Sequence, residues 1–245
     1  MARNSCRIER FRLKPGETIA GKYKIIELLG AGWEGEVYLV KELRTNVART
    51  AKLFFPHRNP ADRTLKAYAR KLHTLRQCPI VIQYHTLDDF EFKGRRISAL
   101  ISEYVEGELL SFFLKHQKGG KMSPFQGIHL LHSLTRGIES IHAAKEYHGD
   151  LHLQNIIVQR FGLGFELKVL DMFHWGAASR ENYQHDICDL IRVFYDVLGG
   201  AKTYSRQPQE VKAICCGLKR SLITKKFRNA SQLRNHIETM EWSKC

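Results

Sequence analysis

Two periods of hydrophobic placement divide this chain. In the first part, apolar positions fall in short β-prone runs. They are Tyr23-Lys24-Ile25-Ile26-Glu27-Leu28-Leu29, Glu36-Val37-Tyr38-Leu39-Val40, and Arg49-Thr50-Ala51-Lys52-Leu53-Phe54-Phe55, which ends at Pro56. Runs of that length, rich in β-branched and aromatic residues and bounded by Gly or Pro, predict strands. A charged stretch from about Asp62 to Gln77 predicts a helix, and the runs Asp88 to Phe92 and Arg96 to Tyr104 meet at Lys93-Gly94 as a hairpin. Beyond Gly107 the period becomes helical. Ser123-Pro124 is an N-cap followed by a first-turn proline, and Ile128, Leu131, Leu134, Ile138 and Ile141 recur in steps of three and four that mark one buried face.

Two short β runs then follow, Ile156-Ile157-Val158 and Leu167-Lys168-Val169-Leu170, separated by a Gly162/Gly164 turn. The remainder predicts helices over His185–Leu198, Gln209–Leu222 and Ser231–Met240. A basic, weakly patterned leader (1–21), a β-rich part (22–104) and a helical part (105–245) form an α+β pattern with two segregated lobes.

Composition adds bounds. The 245 residues suffice for one domain or two small lobes, and 43% apolar with 26% charged residues is ordinary for a soluble protein. The amino terminus is too charged for a signal peptide, and no apolar run approaches the roughly 18 residues of a membrane span. The expectation is a cytoplasmic protein, although export by a dedicated secretion system would leave no mark of this kind. The six cysteines are scattered without a CxxC pair, so buried, reduced thiols are expected rather than a zinc site. His129 and His132 lack a HExxH partner and read as packing or surface residues. A net charge of +14 suits an anionic partner or simply a solvated surface. With no zinc finger, no aromatic RNA-binding pattern and no dense Lys/Arg block, nucleic acid is the lesser reading.

Three features carry chemistry. Gly30-Ala31-Gly32-Trp33-Glu34-Gly35-Glu36-Val37 is a GxGxxG turn followed at once by β-prone residues. Strand, glycine turn and strand make a flap in which backbone N–H groups can approach phosphate oxygens. Lys52 lies 22 residues past Gly30 inside an apolar strand, where it is either an edge lysine or a phosphate-gripping ammonium. His148-Gly149-Asp150-Leu151-His152-Leu153-Gln154-Asn155 places an Asp and an Asn five positions apart on a polar loop. That spacing suits a carboxylate that takes the proton of an attacking hydroxyl and an amide oxygen that holds a metal ion. No GxxxxGK[ST] loop is present, which excludes P-loop nucleotidases.

In this order (glycine turn, strand lysine, Glu103-Tyr104-Val105-Glu106-Gly107, HxDxxxxN, and an apolar strand ending in Asp171) the chain resembles the protein kinases over roughly residues 22–240. The segment Ile214–Leu222 with Lys226–Leu233 resembles their closing helices. The resemblance implies a bilobal kinase-like fold with ATP and Mg²⁺ as cofactors. Gly30, Gly32 and Gly35 would cover the phosphates and Lys52 would hold the α- and β-phosphates. Glu103 and Val105 would meet adenine through their backbone, with Val37, Thr50 and Ile157 against the ring and Ser102 as a small gatekeeper. Asp150 would be the base, Asn155 and Asp171 the metal ligands, and His152 a donor to the γ-phosphate. The implied acceptor is a Ser/Thr hydroxyl of a protein, which the net positive charge would suit if acidic. The oligomeric state is left open.

The pattern also departs from the family. Gly149 stands where an arginine senses a phosphorylated activation loop, and His152 where lysine is usual. HGDLHxxN also resembles the aminoglycoside phosphotransferases, which makes a small-molecule or sugar kinase the alternative. Asp171-Met172-Phe173 replaces DFG, no APE follows, and only 14 residues separate Asp171 from Asp186. Residues 63–77 contain no acid to pair with Lys52. Asp171 with the ATP phosphates, or a strand carboxylate such as Glu91, would then have to serve. A nucleotide-binding scaffold without catalysis is the third reading.

Overall fold

The computed structural model describes residues 7–161, 164–173 and 176–241. Two compact units divide the chain: one runs to Arg76 and takes in Ile82–Tyr104, and the other comprises Gln77–Val81 and the chain from Val105 onward.

The first unit is a six-stranded antiparallel sheet with one α-helix. Its strands are β1 (Thr18–Ile19), β2 (Tyr23–Ala31), β3 (Gly35–Glu42), β4 (Ala48–Phe54), β5 (Tyr84–Phe92) and β6 (Arg95–Glu103), in the order β1-β2-β3-β4-β6-β5. Helix α1 (Arg63–Thr74) connects β4 to β5. Side chains alternate across a strand, and the central strands obey this strictly. Tyr38, Val40, Ala51, Leu53, Ile97, Ala99 and Ile101 line one buried face, while Val37, Leu39, Thr50 and Lys52 line the other.

The leading segment is more than a charged arm. Ile8 and Phe11 enter the same core, and Phe11 stacks on Phe55 at 5.4 Å. Burying each such side chain contributes roughly 1.5–3 kcal/mol toward the cost of ordering the strap. Its backbone is also held: the Phe11 N–H donates to buried Glu36 Oε2 at 3.2 Å, and Glu36 also accepts from the Tyr38 hydroxyl. The hairpin turn falls at Lys93-Gly94, both at positive φ, as a tight two-residue loop requires. Helix α1 begins where Asn59 Oδ1 accepts the Leu65 N–H, and Ser98 on β6 donates to Asp62 at its first turn.

The second unit is mainly helical. A small sheet is formed by β7 (Glu108–Leu109), β8 (Ile156–Phe161) and β9 (Gly164–Val169); the turn joining the last two includes Gly162, which lies outside the described residues. The helices are α2 (Leu110–His116), α3 (Pro124–Ala143), α4 (Arg180–Val197), α5 (Ala201–Tyr204), α6 (Gln209–Cys215), α7 (Arg220–Lys226) and α8 (Ala230–Thr239). Ser123 and Gln126 form a reciprocal capping box at the start of α3, whose Ile128, Leu131, Leu134, Ile138 and Ile141 are all buried. Ser179 and Asn182 do the same for α4, which therefore starts five residues earlier than its apolar pattern indicated. The helix expected over 209–222 is broken in two, because Cys216, Gly217 and Leu218 adopt positive φ. Cys78, Cys188, Cys215 and Cys216 are free thiols, and burial pushes Cys215 up to about 12; Cys6 and Cys245 lie outside the described residues. Among the described residues no helix is long and apolar enough to cross a membrane.

Candidate active site

In the first unit, the glycine turn joins β2 to β3. Gly32 N–H donates to the Gly35 carbonyl at 2.9 Å, and Phe55 N–H donates to the Glu34 carbonyl at 2.9 Å, so the turn is stitched to the chain that follows β4. The three glycines have different reasons to be glycine. A Cβ on Gly35 would run into the Leu53 carbonyl, so packing alone demands it. At Gly30 and Gly32 no protein atom lies within 4 Å of where a Cβ would sit, and neither has positive φ. Contacts among the described residues do not require glycine at either position.

Val37, opposite Lys52, and Thr50, two positions before it, present their side chains on the lysine's face of the sheet. Ser102 is buried opposite Thr50. Glu103 ends β6 and is tied to Gln83 twice, through its N–H to the Gln83 carbonyl and through Oε1 to the Gln83 N–H, each at 2.9 Å. Val105 begins the larger segment of the second unit.

Lys52 is 9% exposed, and its Nζ lies 2.8 Å from Glu34 Oε2 in the glycine turn. The ammonium also sits 4.9 Å from the Tyr68 ring centre and 5.3 Å from that of Phe54. Glu91 is excluded as its partner by register. It faces Arg96 on β6, whereas Lys52 faces Leu100, about 13 Å further along that strand. Glu34 was the residue that sequence reasoning missed; its signal was a carboxylate placed inside a glycine turn.

In the second unit, the loop 148–155 precedes β8. Asn155 is nearly buried, and its Nδ2 donates to the Asp150 carbonyl at 2.9 Å and approaches Asp150 Oδ2 at 3.4 Å. The amide nitrogen is thus engaged by the protein, and Oδ1 is the atom with the character of a metal ligand. Leu170 N–H donates to the Asn155 carbonyl at 2.8 Å, which brings Asp171 to the same end of the β8–β9 hairpin. Asp171 is exposed, at φ +51°. An amide oxygen and a carboxylate are hard oxygen donors, so this pair fits Mg²⁺ chemically.

Asp150 is exposed, with His152 Nε2 at 3.6 Å from its Oδ2. His152 Nδ1 accepts the Gln154 N–H at 3.2 Å, which puts the neutral ring's proton on Nε2. Ile157 is half-buried opposite Leu109, and a Cβ on Gly107 (φ +127°) would touch its side chain.

The loop is suspended from α4. Fully buried Asp186 accepts His148 N–H and Gly149 N–H, each at 2.8 Å, and His142 Nε2 at 2.9 Å. Burial would raise its pKa, but the His142 hydrogen bond, the nearby His148 and the two backbone donors outweigh it and hold the carboxyl below its ordinary range. Burial instead pushes neighbouring Asp189 up to about 6, against the opposing pull of His185. Gly149 has φ +84°, and a Cβ there would press on the Tyr147 ring.

Comparison with known proteins gives a consistent picture. A family model described as a protein kinase domain matches residues 23–205. The serine/threonine-protein kinase pkn2 of Myxococcus xanthus is 27% identical over 62% of this chain and 18% of its own length. The serine/threonine-protein kinase PrkC of Bacillus subtilis is 24% identical over 74% of this chain and 27% of its own. Cyclin-dependent kinase B2-2 of Arabidopsis thaliana is 23% identical over 79% and 62% respectively, so the chain spans less than two thirds of each of these relatives. In fold, the chain is similar to the PknI kinase domain of Mycobacterium tuberculosis, with a TM-score of 0.69 at 18% identity over 92% of this chain and 98% of that one.

Proposed function

This chain belongs to the protein kinase domain family, and from that premise we propose that it transfers the γ-phosphoryl group of ATP to Ser/Thr hydroxyls of proteins. Asp150 accepts the proton of the attacking hydroxyl, and Lys52 neutralises the α- and β-phosphates. Gly30, Gly32 and Gly35 let backbone N–H groups approach the phosphates. The backbone of Glu103 and Val105 meets adenine, and Val37, Thr50 and Ile157 pack on the ring. Asn155 Oδ1 and the Asp171 carboxylate hold Mg²⁺, which when bound offsets phosphate charge. His152, its Nε2–H close to Asp150, donates to a γ-phosphate oxygen. Such a site works by positioning and charge neutralisation, with little covalent chemistry asked of the protein.

The observation that supports this reading best is the Asn155 amide, which orients itself on Asp150 with its nitrogen and so leaves an oxygen of metal-ligand character. A carboxylate and an amide oxygen held together in this way suit a base beside a metal ligand. The test is an intact-mass measurement after incubation with Mg-ATP. Adducts of about 80 Da on the wild type, absent from Asp150→Ala and from protein treated with a chelator, are expected. Nucleotide-induced thermal stabilisation without any ATP consumption, the same in both proteins, would point to a scaffold instead.

A further inference from the structure

A buried ammonium needs a counter-charge, and in this chain the usual supplier is missing. Helix α1 bears Arg63, Lys66, Arg70, Lys71 and His73 but no carboxylate. Lys52 is nonetheless held on two sides. The Glu34 carboxylate takes one of its three N–H donors at 2.8 Å, and the Tyr68 ring of α1 offers its face at 4.9 Å. Glu34 is fixed from behind. Its carbonyl accepts the Phe55 N–H, and adjacent Gly35 packs so closely on the Leu53 carbonyl that the turn cannot shift without breaking strand contacts.

We propose that Glu34 is the positioning residue for Lys52, so that the glycine turn itself carries the counter-charge that α1 lacks, while Tyr68 of α1 offers its ring face. The proposal rests on the reading of Lys52 as the phosphate-gripping lysine. The turn that covers the phosphates then also aims the ammonium at them. Order at Lys52 follows closure of the turn, and swinging α1 ceases to be a way of switching the lysine on and off.

The experiment has two readouts that do not depend on each other. The first is the rate of Lys52 acylation in the full chain without nucleotide, followed by peptide mass spectrometry. Glu34→Gln replaces the charge-assisted hydrogen bond that engages the amine with a weaker one, and acylation should accelerate about tenfold. Glu34→Asp, which keeps the charge on a shorter arm, should fall between. The second is Mg-ATP affinity, which should weaken by about tenfold in Glu34→Gln and recover at least in part when Tyr68→Glu places a carboxylate on α1. Acylation and affinity both within twofold of wild type in Glu34→Gln, while Lys52→Ala loses nucleotide, would overturn the proposal and leave the kinase reading standing. Unchanged nucleotide affinity in Lys52→Ala would remove the reading of Lys52, and the proposal with it.

Discussion

Asp186 on α4 accepts the backbone N–H of Gly149 at 2.8 Å, and through it a buried carboxylate sets the conformation of a loop 37 residues earlier in the chain. The Asn155 amide on the Asp150 carbonyl and the Phe173 N–H on the His148 carbonyl, each at 2.9 Å, fix the rest of the loop. Gly149 needs φ +84°, and Asp150 next to it is exposed. Asp186→Asn keeps the shape but can accept through one oxygen only, and turns an NH₂ toward existing donors. It should cost about 2–4 kcal/mol of stability and more than a hundredfold in turnover, checked by urea unfolding and a coupled ATPase assay.

Buried Asp186 and half-buried Asp189, both on α4, respond to pH in opposite senses. Asp186 is held below its ordinary range, so the stability it lends is complete above about pH 4 and is lost as pH falls through its own lower value. Asp189 is raised to about 6, so its contribution is complete below the unfolded carboxyl range and is lost as pH rises through about 6. Asp189→Asn should therefore gain on wild type progressively between about pH 4 and pH 7, reaching on the order of 3 kcal/mol. Urea midpoints measured across that range check it; parallel curves for the two proteins would contradict the raised value.

The glycines of the turn should separate into structural and ligand-facing. Gly35→Ala drives a methyl group into the Leu53 carbonyl and should lower Tm markedly. Gly30→Ala and Gly32→Ala meet no protein atom and should leave Tm within about 2 °C of wild type. If phosphates lie against the turn, the latter two should still weaken Mg-ATP binding several-fold, by calorimetric titration.

Metal dependence should track the hairpin end shared by Asn155 and Asp171. Asp171→Asn removes a charge from the pair and should raise the Mg²⁺ concentration for half-maximal turnover by at least tenfold. It should barely alter stability, because Asp171 is exposed. A magnesium titration of the ATPase rate checks this.

Much of the fold was legible because its signals are local. Tyr38, Val40, Ala51 and Leu53 alternate as strands must, and Ser123-Pro124 announces α3. The break after α6 was missed although Gly217 marked it, since the apolar period continues on either side. The leader's role was hidden for a different reason. Ile8 and Phe11 are isolated among charges, and only the sheet they strap gives them a partner. At the proposed site, Lys52, Asp150 and Asn155 stand out in ordered motifs. The Glu34–Lys52 pair does not, because it joins the glycine turn to β4, and no spacing along the chain reveals how the turn folds over that strand.

The most direct measurement follows labelled phosphate from γ-labelled ATP with Mg²⁺ into wild-type protein and added protein acceptors, with Asp150→Asn alongside and acid hydrolysis to identify the modified residue. Label in phosphoserine or phosphothreonine that falls at least a thousandfold in Asp150→Asn is the predicted result. Label that appears only in an added aminoglycoside or sugar, or in no acceptor although ATP binds, would contradict it.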